Sequence, residues 1–167
     1  MEQSNQEVIC KDARRAFDTY GDMVYRLALL RTRTQPDAED IVQDVFLRYI
    51  RSAPETMERE HEKAWLLRVT INRTKSLFTS AWNQKTTSLP ADIAAPVQEP
   101  FALSDVYHAV QQLPQRYRTV VHLFYYEGYR TAEIAQILSA SDATVRSWLH
   151  RARVLLRRTI EISDDEE

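Results

Sequence analysis

Apolar residues along this chain recur every three to four positions with polar residues between them, and no useful run alternates as a strand would. Residues 8–33 follow the helical spacing through Phe17, Tyr20, Val24, Leu27, Ala28 and Leu30, which predicts a helix interrupted near Gly21. Gln35-Pro36-Asp37 ends that element and starts another. From there to Arg51, Ala38, Ile41, Val42, Val45 and Tyr49 form one stripe, and Asp37, Glu39 and Asp40 suit the positive end of a helix. Pro54 closes it. After a polar loop, residues 62–81 read as helix again, with Trp65, Leu66, Val69, Ile71 and Phe78 apolar.

The second half repeats the period in shorter pieces. A helix starts at Ser104-Asp105 and runs to Gln112, and Pro114 suits the first turn of the next, which reaches about Tyr126 before Glu127-Gly128 ends it. Residues 131–138, a three-residue turn, and a helix from Ser141 or Asp142 to about Ile160 complete the pattern. Between the halves, Pro90, Pro96 and Pro100 cluster in a stretch with few charges and no helical period. The expected fold is all-α: two small helical domains at 8–82 and 104–160, a flexible linker at 83–103, and an acidic tail at 161–167. Fully extended, the linker spans at most ~70 Å.

Composition narrows the function classes. Two glycines in 167 residues leave no P-loop, dinucleotide fingerprint or EF-hand loop. Cys10 is the only cysteine, so no intrachain disulfide or thiolate cage forms, and His61, His108, His122 and His150 lack metalloprotease spacing. No catalytic residue, metal or cofactor is expected. No apolar run approaches the ~20 residues of a membrane span, and MEQSNQEVICKD lacks the build of a secretory signal, so a cytoplasmic protein is expected. The net charge of −2 hides a basic segment: residues 128–158 hold six arginines against Glu133 and Asp142, and four acids follow at 164–167.

The stretch TAEIAQIL-SAS-DATVRSWLHRARVLLRR has the layout of a helix-turn-helix. Ile134, Ala135 and Leu138 face inward from its first helix, and Val145, Leu149, Ala152 and Leu156 from its second. The opposite face of the second helix carries Arg146, Ser147, His150, Arg153 and Arg157, side chains suited to base edges and phosphates. A second cluster lies at 61–85, where Trp65, Arg68, Asn72, Arg73, Lys75, Phe78, Trp82 and Lys85 interleave rings and cations as single-stranded DNA requires. There Trp65 and Val69 read as core, and Arg68, Asn72, Arg73 and Lys75 as contacts, with Asn72 also suited to an internal hydrogen bond.

From Leu113 to Arg157 the chain resembles region 4 of bacterial sigma factors of the extracytoplasmic-function group within the sigma-70 family. Leu113-Pro114, Glu127-Gly128, Glu133-Ile134-Ala135, Thr144-Val145-Arg146-Ser147 and Leu149-His150-Arg151-Ala152-Arg153 fall in register. DAEDIVQDVFLRYIR at 37–51 resembles region 2.2, and KAWLLRVTINRTKSLF at 63–78 resembles regions 2.3 and 2.4. Three departures stand out: Ser139 at a turn position often held by Gly, Arg130 for a common Ser with Thr131 as the substitute cap, and Trp148 for a common Arg.

The resemblance implies a non-enzymatic initiation factor that binds core RNA polymerase, recognises −35 DNA with the second domain and opens −10 DNA with the first. It assigns Thr144, Arg146, Ser147, His150, Arg151 and Arg153 to −35 DNA, and Arg68, Asn72, Arg73 and Lys75 to −10 DNA. A specificity loop at about Ser52–Glu62 precedes the latter. Asp40, Gln43, Asp44 and Leu47, with Arg48 and Arg51 at the edge, match the face that docks on the β′ clamp helices. Implied partners are core polymerase (β′ clamp helices and β flap), promoter DNA and, as a candidate, an anti-sigma factor. A helix-turn-helix regulator with a helical sensor or interaction domain explains 104–160 but not the likeness at 37–78. An enzyme acting on nucleic acid lacks its carboxylate cluster, phosphate loop and nucleophile–base pair.

Overall fold

The computed structural model describes the backbone of residues 2–52, 57–84 and 105–164, and side chains within 9–79 and 105–161 of those stretches. Every regular element among the described residues is helical, so the all-α expectation holds. The chain divides into two compact units, Met1–Ile93 and Ala94–Glu167. The tip of the 52–62 loop, Lys85, nearly all of the 83–103 linker and the last three acids lie outside the described residues.

The first unit is three helices: α1 Glu2–Thr32, α2 Gln35–Ser52 and α3 Arg59–Gln84. Its core is fully buried Val24, Leu27 and Ala28 of α1, Ala38 and Val45 of α2, and Leu66 and Leu67 of α3. The expected break at Gly21 does not occur. A glycine inside a helix costs only about 1 kcal/mol against alanine, less than the burial of the residues after it contributes. Between α1 and α2, Arg33 turns the chain with φ 64°, and its N–H reaches the Leu29 carbonyl at 2.8 Å. Thr34 then caps α2, accepting the Asp37 N–H at 3.3 Å and donating to the Asp37 carboxylate at 2.6 Å.

α3 starts at Arg59, three residues earlier than the apolar spacing predicts, so the last part of the expected loop is helix. The Glu62 N–H closes the first turn on the Glu58 carbonyl at 2.9 Å, and Glu60 and Glu62 complement its positive end.

The second unit holds α4 Asp105–Gln112, α5 Gln115–Val121, a π-helical turn at His122–Tyr126, α6 Thr131–Leu138 and α7 Asp142–Asp164. The single helix expected up to Tyr126 is therefore split. The wide turn is closed by the Glu127 N–H on the His122 carbonyl, five residues back, at 3.0 Å. Val120, Leu123, Ile134, Val145 and Ala152 are fully buried, and Leu149 is nearly so. Ile137 is buried where Leu138 was expected, and Leu138 and Leu156 are half-buried. α7 continues four residues past Ile160, so the first acid of the 164–167 run belongs to the helix.

Candidate nucleic-acid interface

The helix-turn-helix is built from α6 and α7. Glu133 reaches back to accept the Arg130 N–H at 2.8 Å, which caps α6 and leaves Thr131 as the first helical residue instead of the cap. α6 ends on Ser139, held in the left-handed region at φ 54° and ψ 44°, with the Ala140 N–H on the Ala135 carbonyl at 2.9 Å. This is the turn position at which glycine would be unstrained. Ser141 caps α7: its Oγ accepts the Thr144 N–H at 3.1 Å and shares a 2.7 Å hydrogen bond with the Thr144 hydroxyl.

At about 100° per residue, Arg146, His150 and Arg153 lie within about 60° of one another on α7, and all three are exposed. Ser147 and Arg151 form a second exposed row about 100–140° round from Arg146. Thr144 is half-buried and engaged with the cap, so it sits at the helix tip and outside both rows. Trp148 is half-buried and about 160° from Arg146. Arg146 pairs with Asp142 one turn earlier at 3.0 Å. Arg153 leans the other way: its Nε donates to the Tyr125 hydroxyl at 2.7 Å, and its guanidinium carbon lies 5.6 Å from the Phe124 and Tyr125 ring centres. The Phe124-Tyr125 pair was missed in the sequence, where an aromatic run before Glu127-Gly128 was the available signal.

On α3, Arg68, Asn72 and Lys75 are exposed and lie within about 60° of one another. Arg73 stands apart, about 140° from Arg68, half-buried and paired with Asp44 of α2. Of the α2 set, Asp40 and Gln43 are exposed, and Leu47 keeps 48% of its surface in solvent beside exposed Ile50. Asp44, half-buried and tied to Arg73, therefore joins the α2 set to the α3 set, which the sequence alone keeps separate. Val69 is buried as expected, whereas Trp65 is half-buried and meets Tyr49 edge-on at 5.9 Å.

Behind this surface is a polar cluster that no sequence pattern announces. The Glu62 side chain is 2% exposed and receives Arg15 at 2.7 and 3.3 Å and the Tyr49 hydroxyl at 2.5 Å. Burial pushes the Glu62 carboxyl up, and the hydrogen bonds from Arg15 and Tyr49 outweigh it and hold the group below its ordinary value. Burial and the Glu62 carboxylate raise the Tyr49 phenol to about 12. Arg15 is raised, chiefly by its hydrogen bond to Glu62. The cluster joins one residue from each helix of the first unit. Further along α3, buried Arg31 of α1 donates its Nε to Thr74 Oγ1 at 2.6 Å.

No helix among the described residues is long and apolar enough to cross a membrane. Residues 16–84 match the sigma-70 region 2 family model, and residues 103–156 match the sigma-70 region 4 model. The extracytoplasmic-function RNA polymerase sigma factor SigE of Mycolicibacterium smegmatis is 33% identical over 83% of this chain, which spans 57% of that relative's length. The RNA polymerase sigma factor SigV of Bacillus subtilis is 30% identical over 80% of this chain and 81% of its own. The sigma factor RpoE of Bartonella quintana, solved with the anti-sigma factor NepR, shares the fold with a TM-score of 0.76 at 20% identity, over 91% of this chain and 98% of that one. The two regional matches, one on each unit, and relatives aligned across both show that the chain belongs to the extracytoplasmic-function sigma factors of the sigma-70 family, non-enzymatic initiation factors of transcription.

Proposed function

We propose that the first unit, residues 8–82, binds core RNA polymerase and opens −10 DNA, and that residues 104–160 recognise −35 DNA. The polymerase face is Asp40, Gln43 and Leu47 of α2, with Asp44 at its border. The acids meet basic partner side chains and the leucine fills an apolar site on the β′ clamp helices. Arg68, Asn72 and Lys75 of α3 hold the separated strand, with Arg73 beside them. On α7, Arg146, Ser147, His150, Arg151 and Arg153 meet the major groove and its rim, and Thr144 positions the helix tip. The 83–103 segment links the two activities. The β flap of core polymerase, promoter DNA and an anti-sigma factor complete the set of partners, and the protein works in the cytoplasm.

The observation that carries this reading is the exposed row of Arg146, His150 and Arg153 running alongside the buried stripe of Val145, Leu149 and Ala152, on a helix set by a tight turn. Transcription in vitro with core polymerase on a promoter library tests the whole. The expected result is initiation at a shared pair of elements, and absence of any promoter-dependent product overturns the reading. Arg146→Ala tests the second unit. If Arg146 forks onto a guanine, binding of the selected promoter weakens by about 1–3 kcal/mol while binding of random duplex changes little. Equal weakening on both makes it a phosphate contact. No change on either removes Arg146 from the interface.

A further inference from the structure

We propose that Tyr125 and Arg153 together form a binding site for one phosphate of the DNA backbone, an inference that rests on α7 being a DNA-reading helix. Arg153 lies eleven residues beyond the start of α7 at Asp142. At a rise of 1.5 Å per residue that is about 16 Å along the axis, more than the ~12 Å width of the major groove. A helix entering by its N-terminal end therefore carries Arg146 to the base edges and leaves Arg153 level with the sugar-phosphate rim.

The local geometry equips Arg153 for that position. Its Nε is engaged by the Tyr125 oxygen at 2.7 Å, and its plane is steadied against two rings, each 5.6 Å away. Four N–H groups on the two Nη atoms remain for an acceptor. The Tyr125 oxygen accepts from Arg153 and still has its own hydrogen to donate. The two donors thus sit side by side, and both residues are exposed, Tyr125 to 58%. Among the described residues no carboxylate forms an ion pair with Arg153, whereas Arg15, Arg73 and Arg146 each have one.

The backbone supplies a second, independent observation. Tyr125 lies within the π turn, where the five-residue closure of Glu127 on His122 replaces the usual four-residue bond. An inserted residue rotates the side chains beyond it by about 100°, and turns of this kind recur where a side chain must be aimed. Half-buried Phe124 supports the pair, its ring meeting Tyr125 edge-on at 4.9 Å.

The test uses the full chain and a short labelled duplex of random sequence, because a phosphate contact is indifferent to sequence. Affinity is measured by fluorescence anisotropy across about 50 to 200 mM salt. Arg153→Ala is expected to weaken binding and flatten the log–log salt slope by about 0.9, the value for one phosphate. Tyr125→Phe keeps the ring and is expected to leave the melting temperature unchanged while weakening binding about fivefold. On the Arg153→Ala background, Tyr125→Phe is expected to add nothing. Arg153→Lys is expected to restore the slope without the full affinity, since an ammonium has no Nε for the Tyr125 oxygen to orient. Tyr125→Phe without effect, or with the same effect on the Arg153→Ala background, overturns the shared site. If Arg153→Ala changes nothing and Arg146→Ala changes binding of neither the selected promoter nor the random duplex, the DNA-reading role of α7 fails and the site fails with it.

Discussion

The first unit and the helix-turn-helix of the second use charged residues in opposite ways. In the first, charges bind helix to helix: Arg15 and Tyr49 converge on Glu62, and Asp44 pairs with Arg73. In the second, the helix-turn-helix core is apolar, with Ile134, Val145 and Ala152 fully buried, and the charges of α7 lie on its surface. Arg146 pairs within its own helix, and Arg153 meets the aromatic side chains of the π turn. A buried charge that loses its partner costs several kcal/mol, whereas a surface pair contributes little. Stability and nucleic-acid binding are therefore separable by mutation in the helix-turn-helix and entangled in the first unit.

The largest expected effect comes from cutting the Glu62 cluster. Arg15→Met should destabilise the first unit by about 2–3 kcal/mol, below the full cost of breaking a buried pair because Arg15 itself is 44% exposed. Amide hydrogen exchange should speed up in α1–α3 and stay unchanged in α5–α7; equal acceleration in both would break the comparison. The direction of the Glu62 shift sets the pH dependence. Glu62 has its folded value below its unfolded one. Its contribution is complete above the unfolded value of about 4.3 and is lost as pH falls through the folded value. Without Arg15 the hydrogen bond that most opposes burial is lost and the folded value of Glu62 rises, so the deficit of the variant relative to wild type should shrink as pH is lowered toward 4. A constant difference between the two proteins from pH 7 to pH 4 would exclude Glu62 as the responsible group.

This contrast also explains what could be read from the sequence. Apolar spacing located the buried stripe Ala38, Ile41 and Val45 and the buried Val145, Leu149 and Ala152, because a helical period is a local property. The boundary at Thr34, the turn at Ser139 and the cap at Ser141 depend on neighbours a few residues away. The Glu62 cluster does not: Arg15 lies 47 residues from its partner, and no local pattern marks an acid in the sequence REHEK as buried. The same holds for Tyr125 and Arg153, 28 residues apart. Gly21 misled in the opposite direction, since a residue that weakens an isolated helix is tolerated once the helix is packed.

A smaller effect sharpens the comparison inside the first unit. Asp44 and Arg73 form a partly exposed pair, so Arg73→Ala should lower stability by no more than about 1 kcal/mol. If Arg73 chiefly ties α3 to α2, its loss should leave the affinity for a single-stranded −10 oligonucleotide nearly intact, while Arg68→Ala and Lys75→Ala, on the exposed row, should each weaken it. Equal losses from all three would return Arg73 to the DNA surface and make Asp44 the residue that competes for it. The double change Asp40→Ala, Gln43→Ala touches neither network and should weaken core polymerase binding at an unchanged melting temperature.

The smallest expected effect lies in the turn of the second unit. Ser139 stands at φ 54°, where a residue with a Cβ carries about 1–2 kcal/mol of steric cost that glycine escapes. Glycine also widens the unfolded ensemble, which offsets part of the gain and leaves Ser139→Gly more stable by about 0.5 kcal/mol. The backbone bond from Ala140 to the Ala135 carbonyl does not involve the serine side chain, so the geometry that presents α7 should persist. DNA affinity should then match wild type while the denaturant midpoint of the second unit rises. Arg33, with φ 64° between α1 and α2, makes the control in the other unit, because Arg33→Gly relieves the same strain. A gain at both positions assigns the cost to the backbone conformation. A loss at Ser139 beside a gain at Arg33 would show that the serine side chain holds the turn, and that stability and the presentation of the recognition helix are coupled there after all.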